Sequence, residues 1–222
     1  MELEFISYSP EIFNPFEELK DFFSKLPPKI AKKVSVSDVS LLFHGSEIAC
    51  SIDISNDIFS AVHSTECMFY NYDLLASLDL SNFDTSKVTN MKEMFGYCRK
   101  LNHLDLSSFD TSNVTNMSWM FENCKSLKAL DISSFNFTNV KNVIDMFYYC
   151  FSLTDLKFGK NLKISIDLSD CPLTHESVLS VIDGLAEVEE QQTLWLNCKN
   201  YDQLTDEDIS FANSKNWKIF VR

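Results

Sequence analysis

A 26-residue period, as from Leu104 to Leu130, runs through the middle of the chain and restricts its possible folds more than any other feature. Three regular units follow two degenerate ones, from about Val36 to Leu162. Columns of Leu, Phe, Val, Met and Cys recur without a gap: Leu78, Leu104, Leu130 and Leu156; Phe83, Phe109 and Phe135; Val88, Val114 and Val140; Met94, Met120 and Met146; Phe95, Phe121 and Phe147; Cys98, Cys124 and Cys150. Such a period is typical of repeat proteins, in which each unit packs on its neighbours.

Each unit reads as a strand, a loop and a short helix. In "HLDLSSF", apolar Leu104 and Leu106 alternate with polar residues, as in a strand with one buried face. The following "DTSNV" has turn composition, and Met117, Met120, Phe121 and Cys124 then have the spacing of a helical stripe. Strands about 4.8 Å apart on one side and helices roughly 8 to 10 Å apart on the other predict a curved α/β solenoid of the leucine-rich-repeat type.

The chain divides into three predicted segments. Residues 1–35 form a helical N-terminal cap, because Asn14 and Pro15 suit the start of a helix. Residues 36–162 form the leucine-rich repeats. Residues 163–222 form a C-terminal β/α cap that continues the solenoid, with strands in "KISIDLSD", "TLWLNC" and "WKIFV" and helices beginning near Thr174 and Thr205. The interval from Leu194 to Ile219, like that from Leu196 to Val221, is close to the period of the repeats.

Composition narrows the functional classes. Lys and Arg number 19 against 32 Asp and Glu, which gives a formal net charge of −13 and disfavours nucleic acid as a partner. The first residues do not resemble a secretory signal, and no apolar stretch is long enough for membrane insertion. Seven cysteines fit free thiols better than a disulfide framework. We therefore expect synthesis and folding in a cytoplasm, unless an export signal lies upstream.

Two stretches carry a resemblance to known proteins. "LDLSNFDTSKVTNMKEMFGYC" and "LDLSSFDTSNVTNMSWMFENC" resemble the repeat of BspA-like leucine-rich-repeat proteins, a bacterial surface-protein repeat of similar length. That resemblance implies a protein without enzymatic activity that functions in adhesion or partner binding. "LTHESVLSVIDGLAEV" and "LTDEDISFANSKNWKIFV" resemble the carboxy-terminal segment of phage and prophage tail-associated proteins.

Chemistry at the cysteines is disfavoured. Cys98, Cys124 and Cys150 occur once per repeat, without the paired spacing of thiolate metal sites, and are predicted to be buried structural thiols. The four histidines are scattered and belong to no catalytic motif, so no catalytic, cofactor or metal residue is assigned. An enzyme that depends on a thiol or a metal remains a third alternative.

Candidate partner-binding residues lie where the repeat exposes charge or varies. Neighbouring carboxylates about 5 Å apart on stacked strands would repel by roughly 0.8 kcal/mol per pair even in water, so hydrogen bonds or a cationic partner must compensate. Lys157 continues this aspartate column and would relieve its charge at one end. The aspartate column is Asp53, Asp79, Asp105 and Asp131, and the aromatic candidates are Trp119, Tyr97, Tyr148 and Tyr149. Asn90, Asn116 and Asn142, with Asp84, Asp110 and Asn136, are predicted to satisfy backbone groups at turns.

These features predict a protein-interaction module without enzymatic activity. The first expected context is a phage or prophage virion, as a tail, fibre or head-decoration component. The alternative is a bacterial cell-surface adhesin of the BspA-like type. Partners are expected to be other virion proteins or a host surface receptor.

Overall fold

The computed structural model describes residues 62–72, 78, 80–81 and 83–222. The predicted N-terminal cap, residues 1–35, and the first degenerate repeat lie outside the described residues. So do Asp53 and Asp79 of the aspartate column.

Regular elements are short in the repeats and longer after them. In chain order they are β1 (Ala129–Asp131), β2 (Asp155–Lys157), β3 (Ile166–Asp167), α1 (His175–Gly184), β4 (Gln192–Leu196), α2 (Cys198–Tyr201), α3 (Asp206–Ser214) and β5 (Trp217–Val221). β1 pairs with β2, and β3, β4 and β5 form a second parallel sheet in that order.

Successive repeats pair in parallel at the predicted spacing. Single bridges join Ser64 to Asn90, Asn90 to Asn116, and Asn116 to Asn142, while Leu130 lies opposite Leu156 in the β1–β2 pair. The period of the sequence is therefore also the hydrogen-bonding register of the repeats. A solenoid for the whole chain stays a prediction.

In the repeats that the structure describes, the predicted helix is wrong. Residues 117–124 form three consecutive turns, in which the N–H groups of Met120, Glu122 and Cys124 donate to the carbonyls of the residues three positions earlier. The N–H groups that alternate with these, from Met117 to Asn123, donate to Asn142, Ile144, Met146 and Tyr148 of the next repeat at 2.7–3.0 Å. In an α-helix the donors after the first turn would bond four positions back within the segment, so bonding between repeats replaces bonding within a helix.

The replacement of the predicted helices by turns removes the reason for the predicted curvature. Curvature was expected from wide helix spacing on one side of the stack and narrow strand spacing on the other. Direct backbone hydrogen bonds instead join neighbouring repeats at the turn segments, as they do at the bridges.

The predicted apolar columns form the core. Met120, Phe121 and Cys124 are completely buried, and the rings of Phe95 and Phe121 stack with centroids 5.8 Å apart. The ring of Phe121 stacks in turn on that of Phe147 at 5.6 Å. In the first described repeat, Val62, Met68 and Phe69 are buried as their alignment predicts. The apolar pattern therefore identified the core residues correctly, although it predicted a helix where the backbone forms consecutive turns.

The part after residue 162 confirms the helix and strand predictions there. Thr174 caps α1, and Thr205 forms a capping box with Asp208 at the start of α3. Leu194 lies opposite Ile219, and Leu196 opposite Val221, so the interval seen in the sequence is the register of β4 and β5. The strand expected in "KISIDLSD" is only two residues long.

Two glycines join the repeats to this C-terminal part. A Cβ atom on Gly159 would overlap the carbonyl oxygen of Phe135, and one on Gly184 would overlap the carbonyl oxygen of Gly159. The two glycines therefore permit close backbone packing, which brings Gly184 of α1 against the last repeat.

Candidate functional site

The variable positions of the turn segments form a surface that is here called the turn face. It consists of four columns: Glu66, Lys92, Ser118 and Ile144; Cys67, Glu93, Trp119 and Asp145; Tyr70, Gly96, Glu122 and Tyr148; Asn71, Tyr97, Asn123 and Tyr149. Three of these residues, Gly96, Ser118 and Asn123, are themselves buried. The Met and Phe columns between them are buried in every described repeat, and so is the column that follows, which holds Tyr72, Cys98, Cys124 and Cys150. A fixed framework thus presents residues that differ from one repeat to the next.

Two of these columns have left-handed backbone. φ is 54° at Glu93, 55° at Trp119 and 51° at Asp145, and 61° at Tyr97 and 60° at Tyr149. Most of these residues are the third of four in a turn, the position at which type II turns require positive φ. The predicted contact residues Trp119, Tyr97 and Tyr149 thus occupy turn positions, which the helical interpretation could not indicate.

Trp119 was predicted to be an exposed anchor, but its side chain is half-buried. The ammonium group of Lys92 lies 5.7 Å from the centroid of its ring. Lys92 also contacts Glu66 at 2.9 Å and Glu93 at 3.2 Å, so its cation is shared among two carboxylates and an indole. Hydrogen bonding to Glu66 raises the pKa of Lys92. Trp119 is therefore packed against charged neighbours from the preceding repeats.

Tyr97 is also half-buried. Its ring lies 5.2 Å from that of Tyr70 and 5.4 Å from the guanidinium of Arg99. A hydrogen bond to Glu122 raises the pKa of its hydroxyl. Desolvation raises the pKa of Glu122 itself. Tyr97 is thus held in a polar network, and its side chain is less exposed than those of Tyr148 and Tyr149.

The most exposed apolar residues of the turn face lie in the last repeat. Ile144 is 56% exposed, Tyr148 40% and Tyr149 37%, and Phe151, which follows the turn face, is 53% exposed. Tyr148, Tyr149 and Phe151 are here called the aromatic patch. The rings of Tyr148 and Tyr149 stack with centroids 3.9 Å apart, and Phe151 lies 5.3 Å from Tyr149. A hydrogen bond to Tyr149 raises the pKa of Tyr148 to about 12. Tyr148 and Tyr149 are thus both exposed and ordered against each other.

An acidic groove of about 430 Å³ begins at Tyr148. Its polar lining is Asp145 of the last repeat, Asp167, Ser169 and Asp170 around β3, and Arg222 after β5. The guanidinium Nη1 of Arg222 lies 2.6 Å from Oδ2 of Asp167, and the backbone N–H of Tyr149 donates to Oδ2 of Asp170 at 2.8 Å. The groove therefore connects the aromatic patch to three carboxylates.

The described part of the aspartate column is satisfied locally. Asp105 accepts a hydrogen bond from the N–H of Ser107 at 2.9 Å, and Asp131 accepts one from that of Ser133 at 3.0 Å. The backbone bond from Ser107 lowers the pKa of Asp105, and the bond from the Ser133 hydroxyl, at 2.6 Å, is the main cause of the lowered pKa of Asp131. Lys157 contacts Asp131 at 3.0 Å, so the predicted relief of charge at that end is confirmed. Hydrogen bonding therefore offsets much of the repulsion between these carboxylates. A cationic partner was the alternative source of that compensation.

The asparagine column and the Asp110 position make the same type of bond. Asn116 accepts from the N–H of Ser118 at 3.1 Å, and Asp110 from that of Ser112 at 2.9 Å. Asn136, which replaces the aspartate in the third repeat, accepts from Thr138 at 3.0 Å. Their predicted role in satisfying turn backbone is confirmed.

The repeated cysteines are buried free thiols, as predicted. The Sγ of Cys124 donates to the carbonyl of Phe95 at 3.1 Å, and that of Cys150 to the carbonyl of Phe121 at 3.0 Å. The wide separation predicted from helix packing is absent, since the repeats are joined by direct backbone bonds. Among the residues that the structure describes, no group of three His, Cys, Asp or Glu side chains could hold a metal ion.

The groove was missed by reasoning from sequence. Asp167, Asp170 and Arg222 lie outside the register of the repeats, and Arg222 is 55 residues from the carboxylate that it contacts. The regular interval between β4 and β5 indicates only that these two strands are neighbours, and β4 separates β5 from β3 in the sheet.

None of the helices in the described part of the chain has the length and apolar character that a membrane span requires.

The geometry defines a repeat protein whose units are joined through their backbones and whose turn face varies. Residues 35–159, more than half of the 222 residues, match the family described as "Mycoplasma protein of unknown function, DUF285", and the chain belongs to this family. No curated protein and no solved structure matches the chain.

Proposed function

We propose that this protein is a solenoid module without enzymatic activity that binds another protein through the last repeat of its turn face. The observation that carries this proposal is the aromatic patch. Three aromatic residues whose rings contact one another in series are 37–53% exposed on a framework that buries its other large apolar columns. Contiguous exposed apolar surface of this kind is characteristic of protein interaction sites.

Rigidity supports the same function. In the last repeat three N–H donors close turns, and the carbonyls of Ile144, Met146 and Tyr148 accept from the preceding repeat. The N–H of Tyr149 donates to Asp170, so the backbone beneath Tyr148 and Tyr149 is held from both sides. A partner then loses little binding free energy to ordering these side chains. The parallel bridges and the β3–β4–β5 sheet recur at similar sequence intervals and support a solenoid from the repeats into the C-terminal part.

The biological context that we propose first is a virion component of a phage or prophage, with a bacterial surface adhesin as the alternative. Support for the first comes from the resemblance of the carboxy-terminal segment to tail-associated proteins. Support for the second comes from the resemblance of the repeat to BspA-like proteins. Quantitative mass spectrometry of purified particles and of surface-labelled cells separates the two contexts.

Affinity capture with cross-linking tests the binding function. We expect a partner retained by the wild type to be lost from Tyr148→Ala combined with Tyr149→Asn. Asn suits this test because Asn71 and Asn123 occupy the same left-handed column. Phe211→Ser is the control, since Phe211 is 48% exposed on α3, outside the turn face. Equal retention by all variants, or no partner from either particles or cell surface, contradicts the proposal.

A further inference from the structure

We infer that the acidic groove binds an arginine-containing basic segment of the partner protein, with the guanidinium between the carboxylates and the tyrosine pair. This inference rests on the proposed binding function and adds the chemistry of the partner. It is carried by charge complementarity, by the aromatic wall of the groove, and by an arginine of the chain itself that already lies there.

The charge of the groove is incompletely neutralised. Asp145, Asp167 and Asp170 contribute three carboxylates, while Arg222 contributes one cation. Asp167 is the best satisfied: its Oδ1 accepts from the N–H and the hydroxyl of Ser169, and its Oδ2 contacts Arg222. The Asp145 carboxylate accepts no hydrogen bond from the described residues. The groove therefore retains a negative charge that favours a cation over an anion.

The aromatic wall favours arginine over a compact cation. Tyr148 lines the groove, and its ring stacks on that of Tyr149. A guanidinium is planar, stacks on aromatic faces and donates in a fork that matches a carboxylate, whereas an ammonium group is a strongly hydrated point charge. The carboxylates of Asp145 and Asp170 beside Tyr148 offer both kinds of contact together.

Arg222 shows how a guanidinium is accommodated. Its contact with Asp167 is 2.6 Å, although both the preceding strand residues, Phe220 and Val221, are about half exposed. The side chain crosses from the end of β5 to the end of β3 and occupies only one of the three carboxylates. Arg222 therefore acts as an internal competitor, and its removal frees Asp167 for the partner.

Fluorescence polarisation with labelled peptides tests this inference on the full chain. The probes are an arginine-rich peptide in a glycine–serine background and its lysine and glutamate counterparts. We expect the wild type to bind the arginine peptide most tightly and the glutamate peptide not at all. Asp145→Asn with Asp170→Asn should weaken arginine binding about three- to tenfold, as expected for two solvent-exposed charge contacts. Arg222→Ala should strengthen it about threefold.

Matched variants separate a site from general attraction by an acidic protein. Glu187→Gln with Glu190→Gln removes the same two charges from exposed positions outside the groove, and should change binding less than about twofold. Tyr148→Ala should reduce the preference for arginine over lysine. Equal weakening by the Glu187 and Glu190 variant, or unchanged binding by Arg222→Ala, overturns the inference. Circular dichroism of each variant verifies that it is folded.

The two proposals can fail separately. If capture of a partner depends on Tyr148 and Tyr149 while no variant changes peptide binding, the arginine assignment is wrong and the binding function stands. If capture does not depend on these tyrosines, the binding function proposed for this surface is wrong, whatever the peptides show.

Discussion

The regular repeats and the C-terminal part use nearly the same period but satisfy their backbone groups differently. In the described repeats up to residue 123, alternate N–H groups of the turn segments bond across to the next repeat, and the last repeat accepts these bonds at residues 142–148. In residues 163–222, helices α1 and α3 satisfy their own groups, and Thr174 and Thr205 cap their first turns. The comparison shows that the period fixes which repeats are neighbours, whereas the local sequence decides the form of the connection.

Capping residues explain the helices of the C-terminal part. α3 opens with Thr205 and the acidic residues Asp206, Glu207 and Asp208, which suits the positive end of a helix. α1 ends where the ammonium group of Lys215 donates to the carbonyls of Ile182 and Leu185 at 3.0 and 2.9 Å. Desolvation there lowers the pKa of Lys215. Residues 117–124 follow Asn116, which accepts from the N–H of Ser118, but their alternate N–H groups bond to acceptors of the next repeat.

The junction between the two parts should be the most sensitive point. We expect Gly159→Ala to reduce the free energy of unfolding by about 3 kcal/mol, because the new Cβ overlaps backbone carbonyls that cannot move aside. Gly96→Ala is the control: its Cβ meets chiefly the side chain of Tyr70, at 3.0 Å, and should change stability by less than about 1 kcal/mol. Urea unfolding followed by circular dichroism measures both. Similar losses in the two variants would show that the junction is not tightly packed.

The buried thiols should make the repeats sensitive to alkaline pH. Burial raises the pKa of Cys150 to about 12 from an ordinary value of 9.0, so the unfolded chain loses this proton first. The stabilisation is complete below pH 9 and falls as the pH rises toward 12, reaching a loss of about 2 kcal/mol near pH ~10.5.

Paired serine variants isolate this effect from other groups that titrate in the same range. The stability difference between wild type and Cys150→Ser should shrink as pH rises from 8 to about 10.5, because serine does not titrate there. Cys198→Ser, at an exposed cysteine of the C-terminal part, is the matched control variant. A constant difference for Cys150→Ser would mean that this thiol is accessible in the native protein.

The smallest effect should come from single turns and caps. Asp110→Ala removes the acceptor for the N–H of Ser112 and should cost about 1 kcal/mol, whereas Asp110→Asn should cost less than about 0.5 kcal/mol, as Asn136 makes the same bond in the next repeat. Thr205→Ala should cost about 1 kcal/mol by removing the cap of α3. Thermal unfolding of the three variants gives the comparison. A large loss for Asp110→Asn would show that the negative charge, and not the acceptor, is required.

Sequence periodicity predicted register and burial better than backbone form. The pairing of Asn116 with Asn142 follows directly from the period of the repeats, and that of Leu194 with Ile219 from the similar interval after them. The spacing of Met117, Met120, Phe121 and Cys124 could not distinguish a helix from consecutive turns, since both bury the same side chains. So short a segment is also insufficient for helix propensity to decide the outcome without tertiary contacts.

The candidate site was predicted in part. Tyr148 and Tyr149 are exposed as expected, while Trp119 and Tyr97 are half-buried by neighbours from other repeats. The role of Asp167, Asp170 and Arg222 depends on how the C-terminal sheet meets the last repeat, and this geometry is not encoded in any local pattern. Contacts between distant segments, such as Arg222 with Asp167, require the three-dimensional fold.

The left-handed backbone has a consequence for how this surface can diversify. Positive φ costs an ordinary residue roughly 1–2 kcal/mol, and glycine escapes this penalty. Yet Trp119, Tyr97 and Tyr149 occupy such positions. The chain therefore keeps large aromatic side chains at positions where glycine would be more stable. New binding specificities can therefore be engineered at these positions in one repeat after another, and each glycine introduced there would exchange recognition for stability.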